Sequence, residues 1–320
     1  MELCDISKFE TTIDIEKILN ISTNYATDWE HFMIGTDHYL AVANFYNGTT
    51  YNIDSKIYKW NGSQFVEFQS IATHGAFNWK YFIIGTDHYL AVANYQNDIS
   101  YNIDSKIYKW NGTQFVEFQS IATHGAEDWE YFMIGTDYYL VVANYLNKNS
   151  DIYKWNDNKF VEFQSILTDS ASDWKHFMIN SDHYLIVAND HNDKTHNIDS
   201  KIYKWDSNID KFVLFQLIPT NGALDWEHFV IDNDHYLVVA NCYNDLTVNK
   251  NSKIYKWNIN TNKFDLFQSI PINGAFDWKY FVINNDHYLA VANYYNDLTG
   301  NINSYIYKIN VSQNSKNITN

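Results

Sequence analysis

The sequence is short of the residues that mark several common protein classes. Its 320 residues include two cysteines, two prolines and eleven glycines. Cys4 and Cys242 cannot build a disulfide framework, and they lack the spacing of a zinc module. No run approaches the roughly 18 continuous apolar residues of a membrane helix, so membrane insertion is not expected. The N-terminus, MELCDISKFETTIDIEK, interleaves charges and has no apolar centre, so it does not read as a secretion signal. Basic residues are scarce: 22 Lys and Arg stand against 38 Asp and Glu, a formal charge of −16. A phosphate-binding face needs the opposite balance, which argues against nucleic acid and against anionic membrane surfaces. Catalytic signatures are missing as well. No phosphate loop, HExxH, Ser-His-Asp order or activated cysteine context is present.

What the chain has is aromatic and repetitive. Aromatic residues make up 18% and hydrophobic residues 46%, too much for a disordered acidic chain and enough for a large core. The motif [D/N]-W-[E/K]-x-F recurs at Trp29, Trp79, Trp129, Trp174, Trp226 and Trp278, with spacings of 50, 50, 45, 52 and 52. A second motif, I-Y-K-W, follows 31 residues later at Trp60, Trp110, Trp205 and Trp257, and 26 later at Trp155. The last unit has Ile309 at the same offset of 31. Each unit holds four short runs rich in β-branched and aromatic residues, such as WEHFMI, HYLAVAN, KIYKWN and QFVEFQSI, bounded by Gly, Asn, Asp or Ser. Four antiparallel strands repeated six times predict an all-β fold, a six-bladed β-propeller.

The ends predict closure. The last unit lacks its FVEFQSI strand, while IEKILNIST (Ile15 to Thr23) ends six residues before Trp29, as FVEFQSIAT does before Trp79. The N-terminal strand is therefore expected to complete the last blade. The expected organisation is an extension over 1–14, a propeller over 15–310 and a tail over 311–320. The residue after each first-motif Trp alternates in sign: Glu30, Lys80, Glu130, Lys175, Glu227, Lys279. An even ring keeps every neighbour opposite. On an exposed strand end such pairs contribute about 0–1 kcal/mol each.

These motifs, D-W-E-x-F, Y-L-A-V-A-N, I-Y-K-W and F-V-E-F-Q-S-I in order, resemble the epilepsy-associated (EAR, or EPTP) repeat found in the propeller of the leucine-rich glioma-inactivated proteins. The resemblance covers about residues 15–309. It implies a propeller engaged in protein–protein binding, usually seven-bladed and extracellular. This chain departs with six units, no visible signal peptide and no companion domain, so a cytoplasmic location stays open.

The leading site candidates are the residues before the first-motif Trp: Asp28, Asn78, Asp128, Asp173, Asp225 and Asp277. On the innermost strand they would meet at one mouth of the channel. Crowded carboxylates repel, and solvent, protonation or a cation must relieve them. Ca²⁺ suits such oxygen donors, and the resemblance implies a channel metal at this motif position. Two or three adjacent members would suffice. The structural alternative is that each Asp opens its strand and caps local backbone donors.

Other rings read as structural. Asp37, Asp87, Asp137, Asp182, Asp234 and Asp286 sit in tight turns. His38, His88, His183, His235 and His287 fall in different blades, too far apart for one metal, and read as solvent-facing. Asn44, Asn94, Asn144, Asn189, Asn241 and Asn293 end strands and are expected to bond their own backbone. Trp60, Trp110, Trp155, Trp205 and Trp257 are expected to pack between blades. Cys242, in NCYND, looks exposed and incidental. Variable loops carrying Asn47, Asn97–Asp98, Asn192–Asp193, Asn244–Asp245 and Asn296–Asp297 are where a binding surface would lie.

Near-uniform repetition, broken only by Asn78, predicts a non-catalytic, monomeric scaffold that binds a protein. The alternatives are a Ca²⁺-dependent hydrolase or lactonase, with His31, His176 or His228 as base, and a lectin with one glycan pocket per blade.

Overall fold

The computed structural model describes residues 19–247, 251–272, 274–294 and 303–310. Among these residues every helix or strand assigned is a β-strand. They form six antiparallel sheets, one per sequence unit, five of four strands and one of three. The first blade holds Ala26–Ile34, Asp37–Asn44, Asn52–Trp60 and Phe65–His74 in sequence order. The five later first strands are Ala76–Ile84, Ala126–Ile134, Ala171–Ile179, Ala223–Ile231 and Ala275–Ile283. Successive first strands pack on one another, so the Trp strand is the inner one. The architecture is the six-bladed propeller that the repeats predict.

The second strand explains its own composition. In DHYLAVAN, Ala41, Val42 and Ala43 are fully buried because neighbouring blades cover both faces of the sheet. The hairpin before it turns through a left-handed residue, Gly35 at φ 62° in the first blade and Asn180 at φ 56° in the fourth. Each inner strand carries a bulge. In the first blade Ala26 pairs with Asn44 but Asp28 with Ala43, and the other five blades repeat this shift. The bulge re-aims the Asp or Asn that follows it.

Three side-chain devices join the blades. The inner Trp enters the preceding blade: the Trp79 indole donates to the Val42 carbonyl and the Trp129 indole to that of Val92, both at 3.1 Å. The Gln of FVEFQSI clasps the backbone of the next blade's outer strand. Gln69 Nε2 donates to the Phe115 carbonyl (2.7 Å) while its Oε1 accepts from the Phe115 amide (2.9 Å). Gln119, Gln164 and Gln216 do the same to Phe160, Phe212 and Phe264. Four of the five second-motif Trp, Trp110, Trp155, Trp205 and Trp257, pack between blades as expected, Trp110 edge-on to Tyr39 at 5.9 Å, whereas Trp60 meets Phe65 of its own blade.

The strand-end Asn does more than bond its own backbone. Asn94 Oδ1 accepts from the His74 amide, arriving from the preceding blade, and its Nδ2 donates to the Asp104 carbonyl of the third strand. It ties three segments together and is itself buried.

The five successive interfaces each contain a buried core. The meeting of the sixth and first blades differs. Among the described residues it has no such cluster, and Trp29 is 41% exposed where its five equivalents are at most 1%. Leu19 stands where other units carry the clasping Gln, and Ile309 where they carry Trp. The expected closing strand, Ile15 to Thr23, begins outside the described residues. Its described part, 19–23, lies outside any strand. The 1–14 extension and the 311–320 tail also lie outside the described residues.

A candidate cation centre in the channel and an asymmetric rim

The structure brings the acidic ring together. The bulged inner strands place Asp28, Asp128, Asp173, Asp225 and Asp277 with Asn78 around one level, close enough for neighbouring carboxylates to act on one another. Asp28 is pushed up to about 7, first by burial, then by Glu30 and Asp128. Asp128 rises to about 6 through burial, against the pull of Lys80. Asp173 and Asp225 are held well above the usual carboxylate range, by burial and then by a neighbouring Asp of the ring, Asp128 for the first and Asp277 for the second.

Four of the five ring Asp also have a structural task. Asp28 Oδ2 accepts from the Trp79 amide of the next blade (2.8 Å). Asp128, Asp173 and Asp225 do the same for Trp174, Trp226 and Trp278 at 3.2, 3.0 and 2.8 Å. This is backbone capping, but across the blade interface rather than within a turn. It uses one oxygen of each carboxylate. At the neutral position the buried Asn78 Oδ1 has no hydrogen-bond partner.

One residue further along, the alternating charges pair around the ring. Lys80 meets Glu130 at 2.5 Å and Lys175 meets Glu227 at 2.6 Å, while Lys279 acts electrostatically on Glu30. These pairs are not the exposed ones expected from sequence: Glu130 and Glu227 are only 8% and 6% exposed. Each glutamate spends its other oxygen on the next blade's backbone, Glu130 on His176 and Glu227 on Tyr280. Three Lys balance three Glu, so the five Asp of the adjacent ring are left as the uncompensated charge.

That donor set fits Ca²⁺ in kind: several carboxylates and a neutral amide oxygen without a partner. The carboxylates do not themselves close to chelating distance. Among the described residues, the one group of three potential ligands within 4.8 Å of one another lies elsewhere, at Asp190, His191 and His196.

The histidines considered as bases are spacers. His176 lies flat on Phe132 and His228 on Phe177, both at 4.9 Å, where Tyr81 stacks on Phe32 in the second blade. Burial lowers His176 to about 4 and His228 to about 3. Each pairs at 3.1 Å with the His of the second strand, as His31 does with His38. The second-strand His are therefore not simply solvent-facing. The turn Asp ring has a partner the sequence did not announce. Asp37, Asp87, Asp137, Asp182, Asp234 and Asp286 each hold the Lys of I-Y-K at 2.6–2.8 Å. That Lys also sits over the ring of the strand's Tyr, as Lys59 does over Tyr39.

The repetition is broken beyond Asn78. The residue after the strand-end Asn is Phe45, Tyr95, Tyr145 and Tyr294 in four blades, but Asp190 and Cys242 in the other two. Glu127 occupies a bulge position and is buried, with a carboxyl held well above its ordinary range by burial. Cys242 is half-buried rather than exposed, and burial, with help from Asp190, pushes its thiol up to about 11. It is a poor nucleophile. Cys4 lies outside the described residues.

Six blades, clasped by repeated Asp, Gln and Asn contacts, define a propeller built from one unit used six times. The EPTP domain family matches that unit throughout, at residues 17–61, 64–111, 114–156, 159–206, 211–258 and 263–310, and the chain belongs to this family of EAR repeats. Each match after the first opens on the outer strand of one blade and closes on the I-Y-K motif of the next. The first match opens at residue 17, inside the expected closing strand. Over 108 residues the chain is 41% identical to the thrombospondin-type laminin G domain and EAR repeat-containing proteins of Mus musculus and Homo sapiens. That similarity spans 34% of this chain and 16% of each relative. In fold the chain is similar to a protein from Bacteroides fragilis described as a 6-phosphogluconolactonase (TM-score 0.56, 13% identity, 77% of this chain and 71% of that one). It is also similar to the periplasmic gluconolactonase of Pseudomonas aeruginosa (0.52, 10%, 74% and 68%). At these identities the likeness concerns the fold alone. No helix among the described residues is long and apolar enough to cross a membrane.

Proposed function

We propose that the chain is a non-catalytic propeller that binds another protein through the loops joining second and third strands, with Ca²⁺ held in its channel. The observation that carries the binding reading is where the blades differ. Strands, clasps and turn pairs repeat, while the second-to-third-strand loops vary in length and residue type. A rigid ring with variable loops on one face is suited to recognition. Membership in the EAR repeat family agrees with an interaction role. Against catalysis stands the fate of His31, His176 and His228, which are engaged in His–His contacts and, for the latter two, stacked on Phe. The lectin alternative gains no specific support.

For the ion, Asp128, Asp173 and Asp225 would supply carboxylate oxygens, with water completing the shell. The ion would neutralise charge that the Lys–Glu ring leaves uncompensated.

The test exchanges loops. Residues 190–196 are replaced by Tyr95–Tyr101 of the second blade, and both proteins are used to capture partners from the native source. A partner retained by the parent and lost by the graft is expected. A partner held equally by both would remove this loop from the binding surface. Ca²⁺-dependent lactone hydrolysis by the purified protein would contradict the non-catalytic reading.

A further inference from the structure

The loop of the fourth blade departs from its equivalents at three positions at once. Asp190 stands where other blades carry Phe45, Tyr95 or Tyr145. His191 replaces Tyr46, and His196 replaces Tyr51 or Tyr101. The potential ligand atoms of these three residues lie within 4.8 Å of one another. We propose that Asp190, His191 and His196 form a binding site for a borderline divalent metal ion of the Zn²⁺ type on the rim of the propeller.

The donor set selects the metal. Two imidazoles and one carboxylate suit Zn²⁺ and its first-row neighbours, whereas Ca²⁺ and Mg²⁺ prefer oxygen throughout. Three protein ligands leave a fourth position open for water or for a group on a bound partner.

The second layer is that of a built site. Asp190 is only 6% exposed, and its Oδ2 accepts from the Tyr145 hydroxyl at 2.6 Å and lies 3.0 Å from His191 Nδ1. His196 Nδ1 lies 2.9 Å from Asp245 Oδ1, leaving Nε2 as the nitrogen for a metal. A carboxylate behind a ligating imidazole fixes its tautomer and raises its basicity. The two imidazoles stack at 5.0 Å, and Tyr243 meets His196 edge-on at 4.6 Å. The backbone is fitted to the carboxylate. Gly222, at φ 53°, has no room for a side chain, since a Cβ there would lie 2.8 Å from the Tyr243 carbonyl and 3.0 Å from Asp190 Oδ1. Part of this frame is common to the fold, because Asp98 clasps Thr50, Tyr51 and Asn52 as Asp245 clasps Thr195, His196 and Asn197. The fourth blade has put an imidazole into that clasp.

The site is independent of the channel proposal, and titration separates the two. Calorimetry with ZnCl₂ in chelator-treated buffer is expected to show one Zn²⁺ per chain that 1 mM Ca²⁺, a concentration on the order of weak calcium sites, does not displace. His191→Tyr and His196→Tyr restore residues that other blades carry, so the fold is kept, which the unfolding midpoint in EDTA checks. Each is expected to weaken Zn²⁺ at least about tenfold, and Asp245→Ala by about 10–100-fold, the usual scale for an outer partner. Co²⁺ should give a visible band that both His variants lose. The proposal is overturned if the parent takes up no Zn²⁺. It is equally overturned if both His variants titrate like the parent, which would place the ion on His pairs such as His176–His183.

Discussion

His176 and His228 show how one position in a repeat can carry a cost that its equivalents avoid. Both rings are stacked in blade interfaces and stay neutral, with burial lowering them to about 4 and 3. An unfolded His titrates near 6.5, so between these values the unfolded chain binds the extra protons. Stability attributable to these two residues is complete above pH 6.5 and is lost as pH falls towards 4. His176→Tyr with His228→Tyr, restoring the residue of Tyr81, is expected to flatten the fall in melting temperature between pH 6.5 and 4.5. An unchanged pH profile in thermal melts would show that these rings are not the acid-labile groups. The strand-end Asn gives a second test. Asn94→Ala leaves the His74 amide and the Asp104 carbonyl without their partner and is expected to cost about 1–3 kcal/mol in urea unfolding. Asn97→Ala, where the side chain caps an exposed turn, is expected to cost about 0.5 kcal/mol. At this scale the sequence named the right residues and often missed their partners. Asp37 reads as a turn residue and is one. Its ion pair with Lys59 joins a turn to a strand 22 residues away, and no local pattern announces that.

At the level of strands and blades, the repeat made almost everything legible, because each motif position has one job copied around the ring. The exception is the place where copies run out. Leu19 for Gln and Ile309 for Trp are visible as letters, but they matter only once Gln is known to clasp the next blade and Trp to stack between blades. The buried Glu–Lys ring was legible in its alternation and not in its burial, since burial depends on five neighbouring strands. Trp79→Ala should open a large cavity between two blades and cost about 3–5 kcal/mol. Trp29→Ala, whose ring is 41% exposed, should cost about 1 kcal/mol or less. Equal losses in chemical denaturation would mean that the sixth and first blades pack like the others. Residues 19–23 lie outside any strand, yet the first family match opens at residue 17, and we further propose that the segment from Ile15 to Thr23 takes the outer place of the sixth blade without regular strand pairing over 19–23. Deletion of residues 1–18 is then expected to lower the melting temperature by several degrees, and an unchanged midpoint would exclude that role.

For the whole molecule, charge organises the ring. Five Asp crowd one level of the channel, and the Lys–Glu level beside them is already balanced. The acidic ring was legible because its motif residue is invariant in kind except for Asn78, and the bulge that aims it into the channel repeats in every blade. The Asp190–His191–His196 rim was not legible, since its supports, Tyr145 and Asp245, come from the blades on either side. Calorimetric titration of Ca²⁺ into the intact protein, and into the triple variant Asp128→Asn, Asp173→Asn and Asp225→Asn, addresses the channel directly. Asn keeps an oxygen for each Trp amide of the next blade and removes the charge. The parent is predicted to bind Ca²⁺ and the folded variant to lose that binding. No Ca²⁺ heat from the parent, or equal binding by both, would contradict the cation centre.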